Sequence, residues 1–286
     1  MDGSALAIVL SLVSAVTLAA ANMSVKMGSD ILVARAMLSV SAALMLAPAA
    51  FFVPLPDRQT WLALAATLPA HFGYQLCLVR AMQRADLSLV FPVMRGASPL
   101  LTACVALTLL GEHLTLLGWA GLIVATAALI VFALPPRGTG LRAHPDAAAL
   151  GWAVATAIGI SFYNTLDARG VRIAPTPFTF IVWLFLLDPI SISILAVIRR
   201  GRLLANVARM RWRYGAAAGA LSIVSFGSTM YAFSLLETAK VSALRETSVV
   251  FAALMGSRFL GEGFGKRRLL AAAALASGLV LMEFGG

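Results

Sequence analysis

The run LSLVFPVMRGASPLLTACVALTLLGE, residues 87–112, decides the fold. Between Leu87 and Leu110 it contains a single charged side chain, Arg95. A helix needs about 20 predominantly apolar residues to cross the hydrocarbon core of a bilayer. The run is therefore long enough to span a membrane, and it predicts a transmembrane helix with an arginine inside it.

The composition extends this prediction to the whole chain. Of its 286 residues 60% are hydrophobic and 12% are charged, whereas a soluble domain has about 25% charged residues. So few charged side chains cannot cover a soluble surface, and the same balance excludes disorder. The apolar runs are continuous rather than alternating, which argues against a β-barrel. We predict an all-α integral membrane protein without a soluble domain.

Apolar runs bounded by proline, glycine and charged residues predict the number of helices. No Lys or Arg precedes the first run, so we expect a retained span there rather than a cleaved signal peptide. We predict ten transmembrane helices at 4–22, 31–53, 60–82, 87–110, 115–134, 148–168, 177–198, 214–236, 241–260 and 266–284.

The two halves of the chain have similar spacing, which predicts a repeat. Leu-Leu-Gly-Glu ends the fourth run at residues 109–112, and Phe-Leu-Gly-Glu ends the ninth at 259–262. Arg95 and Arg245 each precede the final glutamate of their run by 17 residues. We assign residues 1–134 and 148–286 to two five-helix repeats joined by a linker, 135–147. Because five is odd, the second repeat enters the membrane from the opposite side, so the repeat is inverted.

The basic residues predict the orientation. Of 22 Lys and Arg, 16 fall in the odd-numbered predicted loops and four in the even-numbered ones. Positive residues favour the cytoplasmic side, so we expect the odd loops in the cytoplasm and both termini in the periplasm. The net charge of +10 is then a consequence of topology, and it does not indicate nucleic-acid binding. The basic segment 199–213 is predicted to be a cytoplasmic loop.

Ionisable residues within the predicted spans are the first candidates for a site, because charge in a bilayer is costly. Arg95 and Arg245 either face a polar cavity, or they snorkel to an interface or pair with Glu246 or Asp188 as structure. Asp188 precedes Pro189 in the seventh helix, where a kinked helix with a carboxylate would suit gating or proton coupling. A capped helix break is the alternative. We assign Asp188, Pro189 and Glu246 to gating or coupling.

A second set of candidates is polar or aromatic. His71, Tyr74 and Gln75 share one face of the third helix by their spacing, and Ser98 and Ser248 each follow an arginine by three residues. The set either lines a wet cavity or makes contacts between helices and with the membrane interface. We assign to substrate binding His71, Tyr74, Gln75, Arg95, Ser98, Tyr163, Asn164, Trp183, Tyr231, Arg245 and Ser248.

Enzyme and cofactor motifs are missing from the sequence. It has no HExxH, no nucleotide-binding Walker A sequence, and three histidines that are not spaced for a metal. We expect no enzymatic activity and no cofactor. The small residues between Gly215 and Gly219 fit close helix packing within the chain, and they equally allow a homo-oligomer.

Two stretches resemble a known family: ADLSLVFPVMRGASPLL at 85–101 and TSVVFAALMGSRFLGE at 247–262. With the two five-helix halves, the whole chain resembles the ten-helix, EamA-type branch of the drug/metabolite transporter superfamily, and within it bacterial inner-membrane exporters of amino acids and metabolites. The resemblance implies a substrate cavity lined by the fourth and ninth helices, and alternating access without ATP. Small relatives with four helices rely on a membrane glutamate, which has no counterpart at the same position here.

We therefore expect a secondary transporter that exports amino acids, aromatic ones included, or related metabolites across the inner membrane. Arg95 and Arg245 would bind the substrate carboxylate. An exporter of cationic or aromatic drugs, with Glu246 or Asp188 as counter-ion, is the alternative, although two fixed arginines would oppose a cation. A receptor, a scaffold or an intramembrane enzyme acting on lipid is the third class. The expected partners are a small-molecule substrate and the lipid bilayer.

Overall fold

A computed structural model of the chain describes residues 3–26, 30–84, 87–133, 147–251 and 266–284. Across these residues the secondary structure is helical, with a short 3-10 helix at Ala47–Phe51 and no strand. The α-helices are α1 (Gly3–Lys26), α2 (Ile31–Leu46), α3 (Arg58–Arg84), α4 (Leu87–Leu110), α5 (Leu116–Ala133), α6 (Ala147–Ile173), α7 (Pro177–Phe233), α8 (Thr238–Glu246) and α9 (Lys266–Phe284).

Many helices are long and apolar enough to cross a membrane. In the described part of the chain six segments meet this criterion: Gly3–Ala21, Leu32–Phe51, Arg58–Ala81, Ala147–Ile173, Pro177–Arg202 and Arg209–Phe233. Three shorter apolar helices are Met94–Leu110, Leu116–Phe132 and Leu269–Met282. The chain is accordingly a multi-pass membrane protein, as the composition predicts.

The chain forms two compact units, and each takes segments from both predicted repeats. Unit one comprises Met1–Phe72 and Leu166–Leu235, and unit two comprises Gly73–Thr165 and Leu236–Gly286. In unit one, α1 and α2 pack against α7. In unit two, α5 packs against α4 and α9, and α4 also packs against α8. The predicted linker 135–147, except Ala147, and the motif at 259–262 lie outside the described residues.

Small residues bring the packed helices into backbone contact. In unit two a Cβ on Gly121 of α5 would lie 2.5 Å from the carbonyl oxygen of Gly278 on α9. In unit one a Cβ on Gly219 of α7 would lie 2.9 Å from the backbone nitrogen of Ala42 on α2. Glycine is required at such approaches because a backbone neighbour cannot move away as a side chain can. The small-residue stretch 215–219 therefore packs within the chain.

The segment 199–213, predicted to be a cytoplasmic loop, is largely helical and contains a kink at which two helices of α7 are joined. The candidate spans on its two sides are Pro177–Arg202 and Arg209–Phe233. The backbone is non-helical at Gly201 and at Arg211. Gly201 has φ 38°, a conformation open to a residue without a Cβ. Pro189 lies inside the same helix, so the helix does not end at Asp188. The charges of this segment suggested a loop, but Arg and Lys are good helix formers.

The predicted ninth helix also differs from the structure. The corresponding helix, α8, begins at Thr238, three residues before the predicted start at 241, and it ends at Glu246. The backbone nitrogen of Thr247 bonds to the carbonyl of Leu244, and residues 248–251 are helical again. Lys240, which the sequence placed in an even-numbered loop, is buried in the first turn of α8. Glu237 lies 3.5 Å from its ammonium group and balances its charge.

The second predicted helix, 31–53, is shorter than expected. It ends at Leu46 and continues as the 3-10 helix, whose first turn contains Pro48. Proline lacks the N–H that an α-helix needs at this position. At the other end, Asp30 accepts bonds from the backbone nitrogens of Leu32 and Val33 and caps α2.

Candidate functional site

A buried ion pair lies in unit two. Arg95 of α4 donates from Nη1 to Glu246 of α8, at 3.1 Å from Oε1 and 3.3 Å from Oε2. Arg95 is 8% exposed, Glu246 is 2% exposed, and Arg245, next to Glu246, is 3% exposed. We call Arg95, Arg245 and Glu246 the arginine–glutamate cluster. The structure thus brings Arg95 and Glu246 together, as one of the sequence alternatives allowed.

Two tyrosines accompany this cluster in unit two. The rings of Tyr74 on α3 and Tyr163 on α6 lie 5.0 Å apart at 54°, and both residues are buried. Gly159, one turn before Tyr163, permits the approach, since a Cβ there would lie 3.1 Å from the Cα of Tyr74. Aromatic rings and a guanidinium group therefore share the interior of unit two.

Further polar side chains are buried in the interior of unit two. The amide nitrogen of Asn164 donates to Ser242 Oγ at 3.3 Å, and Ser161 Oγ donates to the carbonyl oxygen of Ser98 at 3.2 Å. Within the described part of the chain, Asn164 Oδ1 and Ser98 Oγ are buried without a hydrogen-bond partner. Buried polar atoms are normally satisfied, so these two are available to a ligand or to water. Two further predicted residues are buried here: Gln75 and Ser248.

A second buried polar group lies in unit one. Nε2 of His71 lies 3.0 Å from Oδ2 and 3.2 Å from Oδ1 of Asp167 on α6. Nδ1 of the same ring lies 3.7 Å from Oδ1 of Asp188 on α7. We call His71, Asp167 and Asp188 the histidine–aspartate cluster. Two carboxylates therefore flank one imidazole, and the three groups come from three different helices, α3, α6 and α7.

Two predicted aromatic residues have other neighbours in unit one. Trp183 meets Trp61 edge to face, with ring centroids 5.1 Å apart, and Tyr231 stacks on Phe178 at 5.3 Å. Both are partly exposed. Trp183 Nε1 is among the buried atoms that lack a hydrogen-bond partner in the described residues. Pro189 is buried and follows Asp188 in α7.

Sequence reasoning missed Asp167, although it is 1% exposed and hydrogen-bonded to His71. The predicted sixth helix ended at residue 168 because Arg169 and Arg172 follow, whereas α6 continues to Ile173. Arg172 is accommodated because its Nε donates to the carbonyl of Phe233 at 2.8 Å. The signal that could have identified Asp167 is a carboxylate side chain inside an apolar run, shortly before Arg169 and Arg172.

Glu112 is a second residue whose role was not predicted. Its Oε2 accepts from the backbone nitrogen of Thr238 at 2.8 Å, and its Oε1 accepts from Thr238 Oγ1 at 2.7 Å. A carboxylate at a helix N-terminus satisfies exposed N–H groups and favours the helix dipole. Glu112 thereby fixes the start of α8, the helix that presents Arg245 and Glu246.

The two clusters differ in the chemistry that they allow. The arginine–glutamate cluster has fixed positive charge, because an arginine does not lose its proton in a protein. The histidine–aspartate cluster consists of groups that exchange protons. No three His, Cys, Asp or Glu side chains within the described ranges are grouped to hold a metal ion.

Comparison with known proteins agrees with this architecture. No curated protein sequence matches the chain. A solved crystal structure of a protein resembles it with a TM-score of 0.78 at 17% sequence identity, covering 98% of this chain and 96% of that chain, which shows a shared fold. The model of the EamA-like transporter family matches residues 1–134 and 147–284. The chain therefore belongs to the EamA-like transporter family of the drug/metabolite transporter superfamily, membrane transporters of small solutes.

Proposed function

We propose that this transporter exports amino acids, aromatic ones included, or related small metabolites across the bacterial inner membrane. The observation that supports this substrate class is the buried pair of Arg95 and Glu246 with Arg245 beside it in sequence. Charged groups inside a membrane protein are rare, and they mark substrate or ion pathways by default.

The charges of the arginine–glutamate cluster favour a zwitterion. Two buried guanidinium groups in this part of unit two favour a ligand that brings a carboxylate. The planar guanidinium group binds a carboxylate through two parallel hydrogen bonds. In our proposal Arg245 and Arg95 bind the substrate carboxylate, and Glu246 accepts from the substrate ammonium group.

The neighbouring side chains suit the rest of such a substrate. The rings of Tyr74 and Tyr163 supply apolar surface, and an aromatic substrate ring pairs well with them. Asn164 Oδ1 and Ser98 Oγ, which lack hydrogen-bond partners in the described structure, are ready to bind polar substrate groups. We assign Gln75 and Ser248 to the same site because both are buried in unit two.

Export of a cationic drug is the less favoured alternative. It would use Glu246 as counter-ion, as the ammonium group of an amino acid would, but a cationic drug brings no carboxylate to replace Glu246 at Arg95. Binding a cation would bring a positive charge toward two arginines without the carboxylate that a zwitterion supplies, which is unfavourable.

Our proposal for the mechanism follows the sequence repeats. Ten spanning helices in two inverted five-helix repeats would alternate between states open to either side, without ATP hydrolysis. The positive-inside pattern supports periplasmic termini. Pro189 and the interruption of the helix at Thr247 lie beside Asp188 and Glu246, where backbone adjustment would accompany gating.

Counterflow in proteoliposomes tests the proposal. Vesicles loaded with unlabelled substrate receive labelled phenylalanine, or labelled phenethylamine, which is the same molecule without its carboxylate. We expect counterflow of phenylalanine to exceed that of phenethylamine at least tenfold. If phenethylamine is exchanged and phenylalanine is not, the cationic alternative is correct. Empty vesicles measure leakage of both compounds.

A further inference from the structure

We propose that the histidine–aspartate cluster is a proton-binding site that couples substrate export to a proton gradient. This inference rests on the proposed transport function, and it adds the energy source. The cluster lies in unit one, whereas the arginine–glutamate cluster lies in unit two. We assign His71, which the sequence predicted to bind substrate, to the proton site instead.

The hydrogen-bond geometry around His71 indicates room for one exchangeable proton. In the tautomer with its proton on Nε2, the imidazole donates to Asp167 at 3.0 Å. Nδ1 then has a lone pair that faces the carboxylate of Asp188 at 3.7 Å. A lone pair facing a carboxylate is unfavourable, and a proton placed between them on either atom turns repulsion into attraction.

The charge balance favours the same proton. With a neutral imidazole the cluster has two negative charges, and with a protonated imidazole it has one. Asp167 on α6 and Asp188 on α7 approach His71 from two other helices, and both are acidic. Two carboxylates in a low-dielectric interior attract a proton strongly.

The two carboxylates differ in exposure, and we assign them different roles on this basis. The side chain of Asp188 is 20% exposed, whereas that of Asp167 is 2% exposed. We infer that Asp188 exchanges protons with water, that His71 receives them on Nδ1, and that Asp167 holds the imidazole in place through Nε2. Asp167 is thus a positioning residue.

An independent observation on α3 also indicates a ligand here. Thr67 is 0% exposed, and its Oγ1 has no hydrogen-bond partner among the described residues. It precedes His71 by four residues, so the two side chains share one helix face. A buried hydroxyl without a partner on the same helix face as His71 suits a water molecule that relays the proton.

Transport in proteoliposomes tests the coupling. Counterflow at equal pH on both sides needs no proton movement, whereas a gradient of one pH unit, acidic inside, permits about tenfold accumulation if one proton exchanges for one substrate. We expect Asp188→Asn and Asp167→Asn to retain counterflow of phenylalanine within about threefold, and to lose the accumulation. Ser225→Ala, which removes bonds to Ser14 in unit one, is the matched control and should retain both activities.

The possible results separate this inference from the proposed function. Tenfold accumulation that persists in Asp188→Asn, or wild-type counterflow that does not respond to the gradient, overturns the proton site and leaves the substrate proposal intact. A wild type without counterflow of any amino acid overturns the substrate proposal. In that event a measurement without substrate decides whether the cluster binds a proton.

That measurement is the 15N NMR signal of labelled histidine in purified protein. The chain has three histidines, so His71→Gln identifies the signal of His71 by subtraction. We expect the His71 signal to change between pH 5 and 8, and the change to be altered in Asp188→Asn while the His113 signal is unaffected. A His71 signal that is constant over this range overturns the proton site, and a purely structural role of the cluster predicts this constancy.

Discussion

Arg95 and Glu246 form a buried ion pair whose removal has a defined cost at the scale of single residues. Glu246→Gln leaves the guanidinium group of Arg95 without this anion, and breaking a buried pair costs about 3–5 kcal/mol. We expect the midpoint of thermal unfolding in detergent to fall by about 5–15 °C. Circular dichroism of the purified variant measures the change.

The double variant Arg95→Gln/Glu246→Gln is the control for that prediction. It removes both charges, and neutral groups of similar size can replace a buried pair at little cost. We expect it to recover more than half of the lost thermal stability. A double variant less stable than Glu246→Gln would contradict the description of the two residues as an ion pair.

Asp57, just before α3, predicts a dependence of stability on pH. Thr60 donates to Asp57 Oδ1 from its hydroxyl at 2.6 Å and from its backbone nitrogen at 2.9 Å. These bonds stabilise the carboxylate and lower the pKa of Asp57 below its ordinary value of 3.8, the hydroxyl having the larger effect. Since the folded pKa is the lower one, the stabilisation is present above pH 3.8 and is lost as pH falls through the folded value.

The corresponding experiment compares wild type with Asp57→Ala at pH 6 and at pH 3. We expect the wild type to unfold at the higher temperature at pH 6, and the difference to shrink at pH 3. In a Thr60→Val background the difference at pH 6 should be smaller. A difference that is the same at both pH values would show that the charge of Asp57 does not contribute.

Single residues show clearly where sequence reasoning succeeds and where it stops. Arg95, Arg245, Glu246 and His71 were chosen because charge inside an apolar run is costly, and all four are buried. The choice of Glu246 over Asp188 as partner of Arg95 could not be made from sequence, because it depends on which helices are neighbours. The role of these residues in transport stays a prediction.

At the scale of elements, the start of α8 depends on a residue far away in sequence. Glu112 accepts two hydrogen bonds from Thr238, and a hydrogen bond to a charged group contributes about 1.5–3 kcal/mol. We expect Glu112→Ala to lower the unfolding midpoint by several degrees and to speed hydrogen exchange of the amides of residues 238–241. His113→Ala, at an exposed neighbour, is the control and should change neither. Unchanged exchange in Glu112→Ala would exclude the capping role.

Apolar run length predicted several element boundaries well and others poorly. The fourth and tenth predicted helices have the bounds of α4 and α9. The errors fall where tertiary contacts override local signals, as at Thr238, whose helix start is capped by Glu112. The charged segment 199–213 separates two candidate spans, as predicted, but it is largely helical around a kink, because helix formation does not require apolar side chains.

At the scale of the whole molecule, the distribution of basic residues predicts the topology. Single cysteines at positions 138 and 174, introduced after Cys77 and Cys104 are replaced by serine, report the two sides of the membrane. We expect an impermeant maleimide added to intact cells to label position 174 and not 138, because the basic loops remain in the cytoplasm. Labelling of position 138 alone would show that the chain has the opposite orientation in the membrane.

The fold class was predictable at this scale because composition and run length depend on the membrane rather than on packing. The division into compact units could not be predicted from the sequence. Each unit joins segments from both halves of the sequence, and such pairing follows from contacts such as that of Gly121 with Gly278. A pair of glycines that are 157 residues apart has no local signature in the sequence.

The central claim is that the arginine–glutamate cluster binds the carboxylate of the substrate. The most direct test is to measure counterflow of phenylalanine by two variants of Arg245. Arg245→Gln removes the positive charge, whereas Arg245→Lys keeps it without the planar guanidinium group. We predict that Arg245→Gln lowers the counterflow rate at least tenfold, that Arg245→Lys retains more of it, and that both variants remain folded by circular dichroism. Equal rates in wild type and folded Arg245→Gln would contradict the claim.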